Sequence, residues 1–427
     1  MKNVIYVMAV VLFCSCNKKG DPSYQSFNGA NVTSNIENLG NIKDMVPTAH
    51  HVYSKPYGRN VWDMQVFENR IYFGYGSWAN SSTSGATNTG VMPILAVDMQ
   101  TDKLVREEVY CLDRNGVLTH RAQGAEDEQL WQFKEINGKL YAPGCDSRGT
   151  FDTGGNEWEW GNIYVRQDNG DWLKKRTVPG GIHVLNIAGY NGKLYVATGS
   201  NSDVPGSYSV MSSDDGGNTW KAPNNFSLRG GRFYTLFNWK DKLFAHYGGT
   251  SGRFSVYAID KTNTASQDPY GYGNLTPAPG NSGRWIIKRH ADVGNIFAFA
   301  IFHLITGGDS QYDIPGGLYY TTDFYRDAVI EKAVYPEPEA EPMDILSRDS
   351  FAYILTNVKN ANDYTIIVYQ TSDFTEFKKC FSFNYGSFAR SFEENKGSFY
   401  IGIGADDVAS PSELAGTIIK VPFEACH

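Results

Sequence analysis

The chain has 427 residues and a formal net charge of −8 at pH 7, which excludes nucleic-acid binding through bulk electrostatics while leaving a local basic pocket open. Hydrophobic residues at 41 %, aromatics at 14 % and 44 glycines supply a large core and many turns, and long helix-forming stretches are missing. All-β barrels and propellers often spend this length on one unit.

The chain opens with Met1-Lys2-Asn3, an apolar run from Val4 to Phe13, and then Cys14-Ser15-Cys16. The run is too short to span a bilayer and has the size of a signal-peptide core. Leu12-Phe13-Cys14-Ser15-Cys16 resembles a bacterial lipoprotein cleavage site, with Cys16 as the lipid acceptor because Ser15 precedes it and Asn17-Lys18-Lys19-Gly20 follows. The expectation is export, with anchoring to the outer membrane through an N-terminal lipid only; a plain secretory signal is the alternative. Residues 1–16 then form the signal, 17–43 a flexible tether rich in Ser, Asn and Gly, and 44–427 one folded domain, expected to be a monomer. After Cys16 come Cys111, Cys145, Cys380 and Cys426. In an exported protein four cysteines allow three pairings, of which Cys380–Cys426 would pin the C-terminal tail.

A unit then recurs: an apolar strand, a tight polar turn, and a strand with an apolar-aromatic pair. The copies begin at WDMQVFENRIYFGYG (62–76) and end at ARSFEENKGSFYIGIG (389–404). Anchored on Ile71, Leu140, Leu194, Leu243, Ile296, Phe351 and Phe399, the steps are 69, 54, 49, 53, 55 and 48 residues. This spacing of short strands predicts an all-β, seven-bladed β-propeller with four-stranded blades. Asn137-Gly138 and Asn191-Gly192 are two-residue hairpin turns, since both positions tolerate positive φ. The last unit ends with GTIIKVPFE (416–424) and lacks an outer strand. An N-terminal strand is expected to complete it, with Ala49 to Pro56 the candidate, so that no sheet edge stays open.

Ser213-Asp214-Asp215-Gly216-Gly217-Asn218-Thr219-Trp220 fits the pattern S-x-D-x-G-x-T-W. Its Asp and Ser cap turn amides, Gly supplies the left-handed backbone, and Trp packs between strands. Thr371-Ser372-Asp373 and Thr321-Thr322-Asp323 look like eroded copies. The stretch resembles the Asp-box propellers, a superfamily that includes sialidases, other glycosidases and non-enzymatic receptors. The resemblance implies fold and does not extend to a sialidase site: the early segment is Tyr57-Gly58-Arg59-Asn60-Val61 rather than Arg-Ile-Pro, and the units number seven rather than six.

In a propeller, the loops entering the inner strands and those between second and third strands share one face. Here they carry Trp62, His120, Trp131, His183, Arg232, Arg284, Trp285 and Arg390, and Asp146, Arg148, His246, Tyr247, Arg253, His303, Asp406 and Asp407. Loops 77–91, 112–128, 145–160, 262–283 and 302–316 are long, as functional loops often are. Arginine grips carboxylates or sulfates through a planar fork, so Arg232, Arg253, Arg284, Arg390 and Arg148 with Asp146 are candidates for holding an anionic polysaccharide. Tyr270 and Tyr272 are candidates for stacking a sugar ring. His183, His246 and Tyr247 are the candidate catalytic groups, able to remove a C5 proton and protonate a leaving oxygen. Architecturally this looks like the seven-bladed ulvan-lyase type of polysaccharide lyase. A glycoside hydrolase would need two carboxylates, for which Asp146 with Asp406 or Asp407 are the candidates. A non-catalytic glycan- or protein-binding propeller remains the alternative from another class. No motif requires a cofactor; a channel-bound metal ion held by histidines of different blades stays open.

Overall fold

The structure, a computed structural model, describes residues 30–31, 36–45, 51–52, 55–56, 60–76, 92–112, 117–122, 124–147, 159–181, 183–248, 255–272, 275, 284–304, 313–404 and 412–422. It is all-β, with one short 3-10 turn at Ile42–Asp44 among the described residues. Each repeat anchor falls at the first or second residue of a hairpin's second strand. Ile71 lies in Arg70–Gly76, paired to Asn60–Phe67; Leu243 lies in Lys242–Tyr247, paired to Phe233–Trp239. The Asn-Gly turns take the left-handed backbone expected of them, with φ of 52° and 74° at Asn137 and Gly138, and 47° and 77° at Asn191 and Gly192.

Strands follow one another in antiparallel order within each group. The fourth group is Phe233–Trp239, Lys242–Tyr247, Ser255–Ile259 and Ala265–Ser266; the fifth is Arg284–Val293, Ile296–Leu304, Asp313–Thr321 and Glu331–Lys332. The sixth runs Glu341–Arg348, Phe351–Lys359, Tyr364–Thr371 and Lys378–Tyr385. The first three groups are fused into one curled sheet, because Asp127–Leu130 pairs with both Arg70–Gly76 and Lys139–Ser147, and Cys145 pairs with His183. Successive first strands touch in a closed ring: Asn60–Phe67, Lys134–Ile136, His183–Tyr190, Phe233–Trp239, Arg284–Val293, Glu341–Arg348 and Ala389–Asn395, which returns to Asn60–Phe67. Apolar layers fill the space between groups, as where Phe237, Phe297, Phe299 and Phe324 pack together.

Two expectations about the N-terminus need correction. An N-terminal strand does complete the last group, but it is Glu37–Asn41, paired antiparallel to Thr417–Pro422. Among the described residues, His51–Val52 and Lys55–Pro56, the pieces of the expected 49–56 strand, pair with each other and not with the last group. The stretch expected to be a tether therefore carries structure: Ala30–Asn31 also adds a parallel strand to Lys378–Tyr385. The polar composition of 30–41 concealed this, because an outer strand needs backbone pairing more than apolar side chains. Cys380 forms a disulfide whose partner lies outside the described residues, as does Cys426; Cys111 and Cys145 are buried thiols. The signal segment and Cys16 also lie outside the described residues.

One irregularity recurs and shapes the channel. The first strands slip register at Trp62, Leu185, Tyr234, Lys288, Met343 and Arg390. A bulge re-aims one side chain out of the alternation. After three of these bulges the next residue reaches a neighbouring strand: Ser391 Oγ donates to the Val61 carbonyl at 2.7 Å, Thr235 Oγ1 donates to the Ile287 carbonyl, and Asp344 Oδ2 accepts from Phe392 N at 3.0 Å.

Candidate functional site

The expected site residues divide into three places. At the rim of the channel, Arg232 Nη2 lies 3.0 Å from His183 Nε2. A guanidinium has only donors, so Nε2 accepts and His183 is the neutral tautomer with its proton on Nδ1. The pair sits over Gly199, where a Cβ would stand 2.9 Å from His183 Cδ2 and 3.0 Å from Arg232 Cγ. Tyr247 borders the same spot: its ring lies against Gly231, next to Arg232, and packs on Phe233 with centroids 5.3 Å apart. Two of the candidates, His183 and Arg232, thus meet where the third and fourth groups join, and Tyr247 lies against the residues on either side of Arg232.

His246 does not join them. Successive side chains on a strand point to opposite faces, so His246 turns away from Tyr247. Its Nδ1 lies 2.7 Å from the Tyr272 hydroxyl, and both side chains are buried. Burial pushes His246 down to about 3, against a hydrogen bond with the Trp285 backbone that raises it. Burial holds Tyr272 well above its ordinary range. The expected roles of His246 as catalyst and Tyr272 as stacking platform are therefore corrected to core packing. Tyr270 is also displaced: it stacks on Tyr325 at 5.4 Å and 28°, beside the Asp323 turn. The 262–283 stretch is not one free loop, since Ala265–Ser266 is an outer strand.

Arg390 lies in the channel itself, 3 % exposed, with its guanidinium 3.8 Å from the centre of the Trp62 ring. Trp62 stacks on Trp131 at 6.0 Å and 18°, and Lys288 Nζ stands 4.2 Å from Trp62 and 4.8 Å from Trp131. Burial, with Arg390 and Arg289 alongside, pushes Lys288 well below the usual lysine range. Burial and Arg289 press Arg390 in the same direction, but a guanidinium keeps its proton in proteins. Below this layer Arg289 bridges two carboxylates, with Nη1 3.2 Å from Asp63 and Nε 2.9 Å from Asp344. Burial raises Asp344 to about 6 despite Arg289, and burial with Asp344 and Asp63 raises Glu393 to about 8.

Sequence reasoning missed Lys288, Arg289, Asp63, Asp344 and Glu393, because nothing in a strand's alternation marks a bulge. It also missed a buried cluster joining the first two groups. There Asp127 accepts from Tyr164 OH at 2.5 Å and Asn162 Nδ2 at 2.9 Å, and Lys174 pairs with Glu126. Burial raises Asp127 to about 6 against the hydrogen bonds of Tyr164 and Asn162. Arg148, Arg253, Asp406 and Asp407, and the side chains of Asp146, Arg284 and His120, lie outside the described residues, as do loop residues 77–91, 276–283 and 305–312. Among the described residues no group of three or more His, Cys, Asp or Glu is placed to hold a metal ion.

No family model and no curated protein matches the chain. Among solved structures, it is similar to the polysaccharide lyase Uly1, at 10 % identity and a TM-score of 0.45 over 87 % of this chain and 92 % of that one. It is similar to YCF48 bound to D1 peptide, at 10 % identity and 0.43 over 86 % and 93 %. An α-L-arabinofuranosidase from Clostridium thermocellum is similar at 8 % identity and 0.33 over 76 % and 92 %. At these values the reading of function is left to the residues of this chain.

Proposed function

We propose that this chain is a seven-bladed propeller of mostly four-stranded blades, exported and lipid-anchored to the outer membrane through Cys16, that cleaves an anionic polysaccharide at a uronate by elimination. The observation that carries the reading is the hydrogen-bonded His183–Arg232 pair, with Tyr247 packed on Gly231 and Phe233 to either side of Arg232. Elimination at a uronate needs a cation on the carboxylate, a base for the C5 proton and an acid for the leaving oxygen. Arg232 can supply the first. While it donates to His183 Nε2 that lone pair is occupied; when the guanidinium turns to a substrate carboxylate, Nε2 becomes available as the base. The C5–H electron pair then forms the C4–C5 double bond, the C4–O bond breaks, and the Tyr247 hydroxyl protonates the departing oxygen. The Arg390 guanidinium in the channel floor favours a negatively charged chain across the mouth.

The test is to incubate the soluble form, starting after Cys16, with a panel of uronic-acid polysaccharides and to follow the absorbance of unsaturated products. His183→Ala and Tyr247→Phe should each lower the rate at least ~100-fold, while Tyr272→Phe retains turnover. Absence of product from every glycan, with one of them retarding the protein in a gel, would replace elimination by binding alone. Labelled palmitate should enter the full chain and not Cys16→Ala; equal labelling of both would move the anchor elsewhere.

A further inference from the structure

The first strands carry the chain from the His183–Arg232 mouth to the hairpin turns, and the 8 residues of His183–Tyr190 span about 20 Å. At that far end of the channel a cleft of ≈ 380 Å³ opens between the hairpins of the second and third groups and the first strands of the fourth and fifth. Its polar lining includes Lys134, Asn137, Asn191 and His290. The volume is at the small end of the roughly 300–1,000 Å³ of small-molecule sites. The rim is fixed. Asn238 Nδ2 donates to the Gly189 carbonyl at 2.7 Å, and Asn191 Nδ2 to the Lys261 carbonyl at 2.8 Å. A side chain at Gly189 would collide with Ile136, its Cβ standing 2.3 Å from Cγ2, so glycine lets the two hairpins meet.

Two groups in the lining have bonding capacity left over. Lys134 is half-buried, and its ammonium makes no ion pair or hydrogen bond among the described residues. The acids around it are otherwise placed. Glu135 is exposed and, one residue along the strand, takes the opposite face. Asp63 and Asp344 are held by Arg289. Glu393, whose carboxyl feels Lys134, is raised to about 8 by burial with Asp344 and Asp63, so it is mostly neutral at pH 7. His290 is half-buried and packs on Phe237 and Phe297, with centroids 5.5 and 5.6 Å away. Its ring nitrogens make no hydrogen bond among the described residues. Burial, with Lys134 and Arg289 alongside, pushes it down to about 3. It is therefore a neutral imidazole at pH 7, with one donor and one acceptor nitrogen.

A half-buried ammonium draws a carboxylate into a charge-assisted hydrogen bond, and a neutral imidazole in the same cleft serves a hydroxyl as donor or acceptor. We propose that this cleft binds a small hydroxylated carboxylate of sugar-acid size, with its carboxylate on Lys134 and a hydroxyl on His290. The Asn137 amide, exposed at the turn, is a further partner for hydroxyls. The site does not rest on elimination at the mouth, since none of His183, Arg232 and Tyr247 lines the cleft.

The experiment uses the chain starting after Cys16, which keeps every described residue, in calorimetric titrations at constant ionic strength. The probes are sodium galacturonate, sodium glucuronate, neutral galactose and sodium phosphate. At least one uronate should bind saturably, at least ~10-fold tighter than galactose or phosphate. Lys134→Gln should weaken that binding at least ~10-fold, and Lys134→Arg, which keeps the charge, by much less. His290→Phe, which keeps a ring on Phe237 and Phe297 and removes both nitrogens, should weaken it roughly 3–10-fold. Cooperative urea melts establish that each variant folds. Arg232→Gln should leave the affinity unchanged; binding lost in that variant and kept in Lys134→Gln would put the ligand at the mouth and overturn the proposal. So would no saturable binding of either uronate, equal binding of galactose or phosphate, or unchanged affinity in Lys134→Gln or His290→Phe.

Discussion

His246 and His183 are both histidines on strands beside an arginine-rich mouth, and only their surroundings separate them. His183 is half-buried at the rim, facing Arg232, whereas His246 is fully buried under Tyr272. Sequence alone ranked them together because one position along a strand decides which face a side chain takes, and the bulges at Leu185 and Tyr234 reset that alternation near both. The buried histidine has a measurable signature. Its pKa is lowered from 6.5 to about 3 by burial, so the folded state holds fewer protons on it than the unfolded chain. Its contribution to stability is thus present above about pH 6.5 and is lost as pH falls towards 3. The stability difference between the natural chain and His246→Phe should shrink by up to about 1.4 kcal/mol per pH unit below 6, read from urea melts at pH 7, 6, 5 and 4. A difference that stays constant over that range would sink this account. Tyr272→Phe leaves His246 Nδ1 without its 2.7 Å partner and should cost about 1–3 kcal/mol at pH 7.

Turns and bulges, the two elements that punctuate these strands, differ in how far they can be read. The turn at Ser213–Trp220 was legible because the hydrogen bonds that shape its backbone are local. Asp215 Oδ1 accepts from the backbone N–H groups of Asn218 and Thr219, both at 2.9 Å, and Oδ2 from the Thr219 hydroxyl at 2.7 Å. Ser213 Oγ accepts from Gly217 N at 2.8 Å, and Gly216 and Gly217 take φ of 70° and 89°. Trp220 Nε1 reaches back 3.1 Å to Thr177 Oγ1 on Trp172–Pro179 of the preceding group. The bulges were not legible, since a slipped register reflects how seven strands crowd one axis and has no fixed residue signature. Burial raises the Asp215 carboxyl, but the hydrogen bonds from Thr219, Ser213 and Asn218 outweigh it and bring it to about 2. A lowered pKa means the stabilisation is present above about 3.8 and disappears as pH falls through 2. Asp215→Ala should therefore destabilise the fold by about 1–2 kcal/mol at pH 7, and by progressively less between pH 4 and 2. Equal destabilisation at pH 7 and pH 2 would mean that the side chain acts through packing rather than charge.

At the scale of the whole molecule, the ring of first strands closes on itself, and the pairing of Glu37–Asn41 with Thr417–Pro422 locks the two ends of the chain together. The lock is more than backbone. Asn41 Nδ2 donates to the Ala415 carbonyl at 3.1 Å and to Thr417 Oγ1 at 3.0 Å, Ile42 N donates to the Gly416 carbonyl at 3.0 Å, and the Ile42 side chain is fully buried. Burial of one isoleucine contributes about 2–3 kcal/mol, and each net hydrogen bond about 1 kcal/mol. Removing the segment therefore costs several times what a surface change does, and it also bares a strand edge on Thr417–Pro422 that invites pairing with another copy. Glu37–Asn41 thus lies in the folded sheet, ahead of the expected domain start at 44. A chain beginning at residue 34 should keep most of its urea stability, losing only the short Ala30–Asn31 pairing. One beginning at residue 46 should lose about 4 kcal/mol or more and associate with itself in light scattering. If the two truncations melt alike, closure rests on the side-chain layers between groups, and the N-terminal strand is an accessory to a ring that already holds itself shut.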